Sequence, residues 1–411
     1  MAQKSKEGRN VPNLRFPGFE EEWKHKKLGE TAKFSKGKGI SKSDINESGS
    51  TECIRYGELY TYYGEVIEEI KSRTNNNQSN LIISEANDVI IPASGETQID
   101  IATASCILKP GVALGGDLNI IKTSNNGVFL SYYLNSKKKT EIAKLTQGNS
   151  VVHLYSSQLA QLKLDFPYLK EQTKIAGFLT LLDKRINTQS KIIENLESLM
   201  KGIAKKIFSK QIRFKDDTGN KFPDWEAKKL EEIIEKAQSG GTPKSTIKEY
   251  YNGEIPFLSI SDMTEQGKYL KYTSKKVSES GLENSSSWIV PENSLIYSMY
   301  ASVGFVSINK IPIATSQAVI NIILKENYNL EYVYYYLLNF QCRIHKYIET
   351  GTQGNINAQI VKSLPIQLPC AHEQTKIADF LSAFDEKIVK EKYILEQYQQ
   401  QKKYLLQNLF I

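Results

Sequence analysis

Two short polar stretches of this sequence carry side chains that could form hydrogen bonds with nucleic acid. The stretch KSRTNNNQSN contains Arg73, Asn75 and Asn76. Arginine pairs with guanine, and asparagine with adenine, through two parallel hydrogen bonds. The stretch FSKGKGISKSD supplies three lysines among glycines, Lys36, Lys38 and Lys42. Because lysine neutralises phosphate and glycine lets the backbone approach it closely, both stretches predict contacts with DNA.

Other polar loops supply further candidates for DNA contact. They include two copies of the tetrapeptide TQGN and the stretches SGGTPKST, SISD, MYASVG and TSQ. The candidates in these and similar loops are Ser94, Gln147, Asn149, Thr242, Lys244, Ser259, Ser261, Tyr300, Ser302, Gln317, Gln353 and Asn355. The alternative for each residue is that its loop is only solvated, as most polar loops are.

Motifs for catalysis are not found in the sequence. It contains no phosphate-binding G-x-x-x-x-G-K-[ST], no H-E-x-x-H and no G-x-S-x-G. The four cysteines form no C-x-x-C pair, which argues against a zinc or redox site. We therefore expect no catalytic residue, metal or cofactor on this chain. Scattered acidic residues can still form a nuclease site, so that alternative stays open.

Length and charge set the broad class of protein. The 411 residues suggest two or three domains, and 40% hydrophobic with 24% charged residues is typical of a globular protein. The net charge of +7 favours a polyanionic partner such as nucleic acid, although many proteins are this basic without one. The sequence has no secretory signal and no apolar run of membrane-spanning length, so we expect a cytoplasmic protein.

The sequence is a tandem duplication with a period near 202 residues. The hexapeptide EQTKIA occurs at 171–176 and 373–378, and Trp23 and Trp225 are also 202 residues apart. Each hexapeptide follows a strand pattern that ends at a proline, QLKLDFP or SLPIQLP, and a tyrosine-rich stretch that is typical of an amphipathic helix. The matched openings are FPGFEEEW from Phe16 and FPDWEAKKL from Phe222. Two similar domains are therefore predicted.

A heptad pattern follows each hexapeptide. Its seam in the first copy is Leu179, Leu182, Ile186, Gln189, Ile193 and Leu196, and in the second copy Leu381, Phe384, Ile388, Glu391, Leu395 and Tyr398. Steps of three and four residues favour a coiled coil over an ordinary amphipathic helix. Because the first helix leaves domain one and the second leaves domain two, the pair is expected to be antiparallel. Gln189 and Glu391 are then expected to meet near the centre.

The helix length and the divergent regions predict how DNA is read. The first seam continues to Ile207 and spans roughly 42 Å at 1.5 Å per residue, close to the 34–36 Å of one DNA turn. Between the matched segments, regions 31–145 and 233–349 differ in sequence. A constant frame with two different inserts predicts two different half-sites and an asymmetric, split DNA target.

The motif combination resembles the specificity subunit of type I restriction–modification systems. The resemblance rests on two variable regions, each followed by P…EQ-x-x-IA and a heptad helix, on the openings RFPGFEEEWKHKKLGE and KFPDWEAKKLEE, and on the run GGTP…IPFLSISDM. It implies an α+β fold with two pseudo-symmetric α/β target-recognition domains joined by two long antiparallel coiled-coil helices. The implied segments are an N-terminal segment (1–23), recognition domain 1 (24–167), helix 1 (168–212), recognition domain 2 (213–369) and helix 2 (370–411).

The resemblance also implies partners. Each recognition domain would read one half of the double-stranded DNA site, and the helices would set the spacer and dock two methyltransferase subunits. Restriction subunits would join the larger complex. S-adenosylmethionine, ATP and magnesium would be bound by those subunits and not by this chain. The first half lacks the G-x-TP start that the second half has at Gly240.

Other functions are compatible with the residues alone. They are a stand-alone sequence-specific DNA-binding protein, a methyltransferase-associated recognition protein outside type I systems, a methyltransferase with its own recognition domain, and a coiled-coil scaffold. A methyltransferase would require catalytic and cofactor loops, which the sequence lacks. A regulator that acts alone would not need such long apolar seams.

Overall fold

Each half of the sequence contributes most of one folded unit. The structure is a computed structural model that describes residues 9–148, 151–347 and 354–411. Unit 1 comprises Met1–Ser190 and Tyr393–Ile411, and unit 2 comprises Lys191–Lys392. Both units therefore include part of each long helix, whereas the five predicted segments followed the repeats of the sequence.

Unit 1 is built from short strands and helices because its β-branched and apolar residues come in short runs between polar turns. The strands are β1 (Lys24–Lys27), β2 (Ala32–Lys36), β3 (Thr51–Ile54), β4 (Val66–Ile67), β5 (Ser72–Thr74), β6 (Ile82–Ile83), β7 (Asp88–Pro92), β8 (Ser94–Gly95), β9 (Ser105–Ile107), β10 (Ala113–Leu114), β11 (Leu118–Thr123), β12 (Val152–His153) and β13 (Lys163–Phe166). The helices are α1 (Leu28–Thr31), α2 (Glu58–Thr61), α3 (Gln98–Ile101), α4 (Gly127–Tyr133), α5 (Lys139–Leu145), α6 (Ser156–Ala160) and the first part of α7 (Leu169–Phe208), with 3-10 turns at Lys42–Asp44 and Gln78–Asn80 and a π-helical turn at Leu134–Lys138.

Unit 2 repeats this order with its own strand and helix lengths. The strands are β14 (Glu226–Lys229), β15 (Ile234–Ser239), β16 (Ile255–Leu258), β17 (Tyr269–Leu270), β18 (Lys275–Val277), β19 (Leu295–Ser298), β20 (Val306–Asn309), β21 (Ala314–Thr315), β22 (Val319–Leu324) and β23 (Pro365–Leu368). The helices are the last part of α7, α8 (Ile260–Gln266), α9 (Glu279–Glu283), α10 (Leu330–Phe340), α11 (Ala358–Lys362) and the first part of α12 (Ala371–Asn408), with 3-10 turns at Leu230–Ile233, Lys248–Tyr251 and Gln341–Tyr347.

The main sheet has one topology in both units. Its five strands are ordered β2-β11-β7-β9-β4 in unit 1 and β15-β22-β19-β20-β17 in unit 2. Neighbouring strands are antiparallel except for the last pair, which is parallel. A smaller sheet accompanies it, ordered β5-β3-β10-β6 in unit 1 and β18-β16-β21 in unit 2. The shared order agrees with the duplication that the sequence predicts.

The strand that precedes each long helix has the predicted alternation. In β13, Leu164 and Phe166 are buried, and in β23 Ile366 and Leu368 are buried. Each strand pairs with the strand that opens its unit, β13 with β1 and β23 with β14. This pairing holds the start of each unit beside the point at which its long helix begins.

The tyrosine-rich helices differ from the prediction. All seven residues of α4 are buried, and in α10 the whole stretch Tyr332–Leu337 is buried. The helices lie between the main sheet and the long helices, so they are covered on both sides rather than buried on one face only. A one-sided pattern was wrong for α4 and α10 because two layers cover them, whereas α5 follows it, with Ile142 and Ala143 buried and Glu141 and Lys144 exposed.

The long helices bury their heptad positions. All twelve predicted seam residues are buried or half-buried. In unit 1, Leu179 and Leu182 of α7 share a core with Leu405 and Leu409 from the last turn of α12 onward. In unit 2, the core joins Met200 and Ile207 of α7 with Leu381 and Ile388 of α12. Within each unit the two helices therefore pair in opposite directions, as predicted.

A phenylalanine at or just beyond the end of each long helix packs into the core of its unit. Phe410 is 2% exposed and lies 5.3 Å and 5.2 Å, between ring centroids, from Phe129 and Tyr133 of α4. In unit 2 the corresponding Phe208 packs on the tyrosines of α10. The core of unit 1 is thus completed by residues from the last helix of the sequence.

Candidate nucleic-acid interface

The repeated hexapeptide EQTKIA fixes the start of each long helix. Glu171 accepts two hydrogen bonds of 2.7 Å from Arg15, and Glu373 accepts bonds of 2.8 and 2.9 Å from Arg213. Both glutamates are almost completely buried. A two-pronged, charge-assisted pair of this kind fixes both distance and orientation. The hexapeptide therefore ties the segment that opens each unit to its long helix.

The glutamine of the hexapeptide links the helix to the main sheet. Gln172 donates to Pro167 O and accepts from the backbone N–H of Asn126, each at 2.9 Å. Asn126 is the N-cap residue of α4. In unit 2, Gln374 makes the same two contacts, with Pro369 and with the N-cap residue of α10. The repeated residues are therefore structural, because they tie the start of each long helix to the start of the tyrosine-rich helix of its unit.

The structure corrects one matched pair of the duplication. Phe16 packs edge-to-face on Phe178, with ring centroids 5.5 Å apart, and Phe214 packs in the same way on Phe380 at 5.5 Å. The residue equivalent to Phe16 is therefore Phe214 and not Phe222. The second repeat contains the extra turn KDDTGN after this phenylalanine. The FP dipeptide occurs in both repeats but not at equivalent positions. Matching it hid the Arg-Phe pair that both repeats share, Arg15-Phe16 and Arg213-Phe214.

In unit 1, several candidate residues lie at one end of the main sheet. Lys36 ends β2 and pairs with Asn119, while β7 ends opposite Leu118 on the other side of the same strand. Ser94 follows β7 and pairs with His153, which in turn bridges to Gln147. Because β11 joins these strands, the candidates from three distant loops occupy the same edge.

The exposure of these candidates differs. Lys36, Lys38, Lys42 and Gln147 are exposed, and none of the three lysines forms an ion pair with a described residue. Ser94 is only 7% exposed, so its side chain does not face solvent. The lysines are therefore the residues of this group that are available to a phosphate.

The glycines near these lysines have a role different from the one expected. A Cβ on Gly37 would lie 1.9 Å from Gly115 O, and a Cβ on Gly240 would lie 1.8 Å from Thr315 O. Each glycine follows the first strand of the main sheet and lets the chain cross the smaller sheet. The two halves therefore share this crossing, although the first lacks the G-x-TP start. These two glycines let one part of the backbone pack closely against another part of the protein's own backbone.

The second group in unit 1 lies on the smaller sheet. Arg73 is in β5, and its side chain contacts Gly49 O at 3.2 Å and Glu52 at 3.5 Å. Asn75 accepts a hydrogen bond of 3.2 Å from the Ser50 N–H. Backbone contacts join this strand to the turn that holds Lys42. The structure thus brings Arg73, Asn75 and Asn76 close to Lys42, with the arginine and Asn75 held by intramolecular contacts.

In unit 2, the equivalent edge carries different side chains. Thr242 donates a hydrogen bond of 2.8 Å to Gln317, so two candidates from separate loops meet. Asn355 lies beside Tyr300, because the Ile356 N–H donates to Met299 O. Tyr300 is 41% exposed and Lys244 is exposed, whereas Ser302 is half-buried. This edge offers hydroxyl and amide groups together with Lys244, where unit 1 offers Lys36 and Lys38.

Ser259 and Ser261 are partly used within the fold. Ser259 caps α8, and its side chain bonds with Asp262 at 2.7 Å and with Ser261 at 2.8 Å. Burial alone would raise the pKa of Asp262, but hydrogen bonds from Ser259 and Ser274 lower it below its ordinary value. The equivalent positions in unit 1 are Arg55 and Glu58, joined at 3.0 Å. Ser261 is exposed.

Two candidates, Asn149 and Gln353, lie outside the described residues. The analysis of the sequence missed Arg15 and Arg213, whose signal was the matched pair Arg-Phe at the start of each repeat. Within the described ranges, no group of three or more His, Cys, Asp or Glu residues could hold a metal ion. No helix in those ranges is long and apolar enough to cross a membrane.

Comparisons with known proteins agree with this architecture. The family model described as Type I restriction modification DNA specificity domain matches residues 20–198 and 223–397. The MjaVIII type I restriction enzyme specificity subunit of Methanocaldococcus jannaschii is 25% identical over 98% of this chain and 94% of that protein. The MjaIX specificity subunit of the same organism is 33% identical over 189 residues, which span 45% of this chain and 44% of that subunit.

Solved structures share the fold. A crystal structure of a type I restriction–modification S subunit from M. genitalium matches with a TM-score of 0.65 and 17% identity, over 98% of this chain and 99% of that one. A structure from work on assembly of the type I system matches with a TM-score of 0.56 and 16% identity, over 96% and 98%. These likenesses confirm the predicted α+β fold class. The chain therefore belongs to the family of type I restriction–modification DNA specificity proteins, as its repeated motifs suggested.

Proposed function

We propose that this chain selects the DNA sequence on which a type I restriction–modification complex acts. Each unit reads one half of an asymmetric, bipartite site through the end of its main sheet at which the candidate residues lie. The long helices set the spacer between the two halves. The chain itself carries out no chemistry, which belongs to methyltransferase and restriction subunits that bind S-adenosylmethionine, ATP and magnesium.

One observation supports two different half-sites above all others. The two units share strand order, the arginine–glutamate contact and the glycine crossing, yet the same edge carries different side chains. Unit 1 presents Lys36 and Lys38, which form no ion pair with a described residue, whereas unit 2 presents Lys244 together with the bonded pair Thr242 and Gln317. Side chains with different donors and acceptors match different base edges. A shared scaffold with unlike edges fits a protein that reads two unlike sequences.

The outer faces of the long helices support docking of protein partners. Large apolar side chains off the heptad seam remain exposed, namely Leu181, Ile192, Leu199, Val389, Tyr393 and Tyr404, at 38% to 65% of their full area. Isolated apolar residues are common on surfaces, but a series along two helices is typical of an interface. We propose that methyltransferase subunits cover these faces.

Mapping of adenine methylation tests the proposal directly. Deletion of the gene in the source cell should abolish methylation at one split, asymmetric motif and leave other motifs unchanged. Reintroduction of the gene should restore it. Methylation that persists unchanged at every motif, with the partner methyltransferase expressed and active, would contradict the proposed function.

A matched pair of variants tests the proposed edge. Lys36→Ala removes a candidate phosphate contact, and Lys33→Ala removes an exposed lysine near the opposite end of the same strand. One lost phosphate contact should reduce the slope of log affinity against log salt concentration by about 0.9. We expect this change for Lys36→Ala in the complex with the methyltransferase and none for Lys33→Ala. Equal slopes for the two variants would exclude this edge from the DNA contact.

A further inference from the structure

Each unit contains a cluster of ionised side chains where its main sheet meets its long helices. In unit 1, Lys402 of α12 lies 2.7 Å from Asp183 of α7 and 3.2 Å from Glu65, which directly precedes β4. Tyr132 of α4 donates a hydrogen bond of 2.5 Å to Asp183. The side chains of Lys402, Glu65 and Asp183 are only 18% to 24% exposed.

Unit 2 has a related cluster in which the lysine comes from the sheet rather than from a long helix. Lys268, which directly precedes β17, lies 2.5 Å from Glu331 of α10 and 3.7 Å from Asp385 of α12. Tyr335 donates a hydrogen bond to Asp385. The Lys268 side chain is 9% exposed. Each cluster therefore contains one lysine, two carboxylates and a tyrosine that donates to an aspartate, and in unit 2 Tyr269 also donates a hydrogen bond of 2.7 Å to Glu331.

Three positions correspond between the two clusters, whereas Glu331, two residues after the N-cap of α10, stands where α4 has Val128. Asp183 and Asp385 are 202 residues apart, the period of the duplication. Tyr132 and Tyr335 both come six residues after the N-cap residue of their helix. Glu65 and Lys268 both accept, through their carbonyl oxygens, an N–H from the strand next to the one they precede. An acidic residue in unit 1 thus stands where unit 2 has a lysine.

The residue on the heptad seam changes together with this position. Lys402 lies 202 residues after Met200, which is 9% exposed and part of the core of unit 2. In unit 1, Glu65 precedes the strand and the seam residue is Lys402. In unit 2, Lys268 precedes the strand and the seam residue is the uncharged Met200. Burial alone would lower the pKa of Lys402, but the charges of Glu65 and Asp183 raise it, so the amine stays protonated.

We infer that this pair of positions is a charge code that decides which recognition domain fits which helix. A domain with an acidic residue before this strand requires a seam lysine, whereas a domain with a lysine there supplies the cation itself and is matched with an uncharged seam residue. A partly buried carboxylate pair without a cation would be left uncompensated, and so would two lysines beside one carboxylate in a domain such as unit 1 that has no equivalent of Glu331. The two domains of this chain, and domains from relatives, are therefore not freely interchangeable between the two positions.

Transplantation of the unit 2 arrangement into unit 1 tests the code. The variants are Lys402→Met, Glu65→Lys and both together, in the full chain. Each single change should lower the unfolding midpoint by about 5–15 °C, as expected for an uncompensated buried charge in a unit of this size. The double variant should regain at least half of the larger loss, because Glu65→Lys supplies Asp183 with the cation that Lys402→Met removes. Lys403→Met, at the neighbouring exposed lysine of the same helix, is the control and should shift the midpoint by less than about 2 °C.

The unfolding midpoint does not depend on DNA recognition, because all residues of the cluster belong to this chain. Amide exchange of residues 393–411 should rise in each single variant and return toward the wild-type rate in the double variant. A double variant at least as unstable as the worse single variant, or one that regains less than half of its loss, would overturn the code. So would a Lys402→Met variant as stable as the control. If neither single variant folds, the double variant decides alone: folding supports the code, and failure to fold overturns it.

Discussion

The two matched tryptophans are predicted to differ in how much the same substitution destabilises the protein. Trp225 is 6% exposed, and its indole N–H donates a hydrogen bond of 3.0 Å to the buried carboxylate of Glu373. Trp23 is 3% exposed, but its indole nitrogen has no acceptor among the described residues. The more deeply buried tryptophan is therefore the one whose N–H contributes no hydrogen bond to a described residue.

Replacement of each tryptophan by phenylalanine separates this bond from packing. Both Trp→Phe changes remove the same part of the ring, so the costs of lost contact and of the cavity are similar and largely cancel in the comparison. Trp225→Phe also removes a hydrogen bond to a charged group, which contributes about 1.5–3 kcal/mol. Trp23→Phe removes a buried donor that has no partner, which lowers the cost of folding. We expect Trp225→Phe to be the more destabilising by at least about 1.5 kcal/mol.

Hydrogen exchange in the full chain measures both changes, because peptides from β1 and β14 report on unit 1 and unit 2 separately. The free energy of opening should fall more at β14 in Trp225→Phe than at β1 in Trp23→Phe. Glu373→Gln combined with Trp225→Phe should cost less than the sum of the two single changes, because the residues share one bond. An equal or greater loss for Trp23→Phe would refute the reasoning from the indole hydrogen bonds.

Two further predictions concern the glycine crossings and the aromatic closure of unit 1. Gly37→Ala and Gly240→Ala should each destabilise the chain and weaken DNA binding, because the new Cβ would lie less than 2 Å from a backbone oxygen; unfolding midpoints and binding titrations test this, and Gly177→Ala, where a Cβ meets nothing within 4 Å, should be neutral or stabilising by up to about 1 kcal/mol. Phe410→Ala should cost about 3–5 kcal/mol of the stability of unit 1, measured by denaturant unfolding, whereas Tyr404→Ala, at a side chain 58% exposed, should cost much less.

Local patterns made the helices and the duplication readable from the sequence. The heptad seam is visible because a helix brings every third and fourth residue to one face, so Leu179 and Leu182 needed no knowledge of distant residues. The strands before the hexapeptides were readable for the same reason. The tyrosine-rich helices were misjudged because their second buried face depends on two layers that come from other parts of the chain.

Pairs that are distant in sequence were not predictable in this way. Arg15 and Glu171 are separated by 156 residues, and Lys402 and Glu65 by 337. No periodicity connects such residues, and a surface lysine looks the same in a sequence as one in a buried cluster. Gly37 was interpreted as a phosphate-binding glycine because the backbone that it approaches, at Gly115, becomes its neighbour only in the folded sheet.

The division of unit 1 between two separate stretches of the chain has a consequence for its synthesis. Unit 2 is continuous in sequence, whereas the core of unit 1 includes residues 393–411. A ribosome therefore makes every residue of unit 2 before it makes Leu405 and Phe410, which complete the first unit. Chains usually fold from the N-terminus onward during translation. Unit 2 can therefore reach its native state first, whereas unit 1 stays incomplete until residues 393–411 have been made.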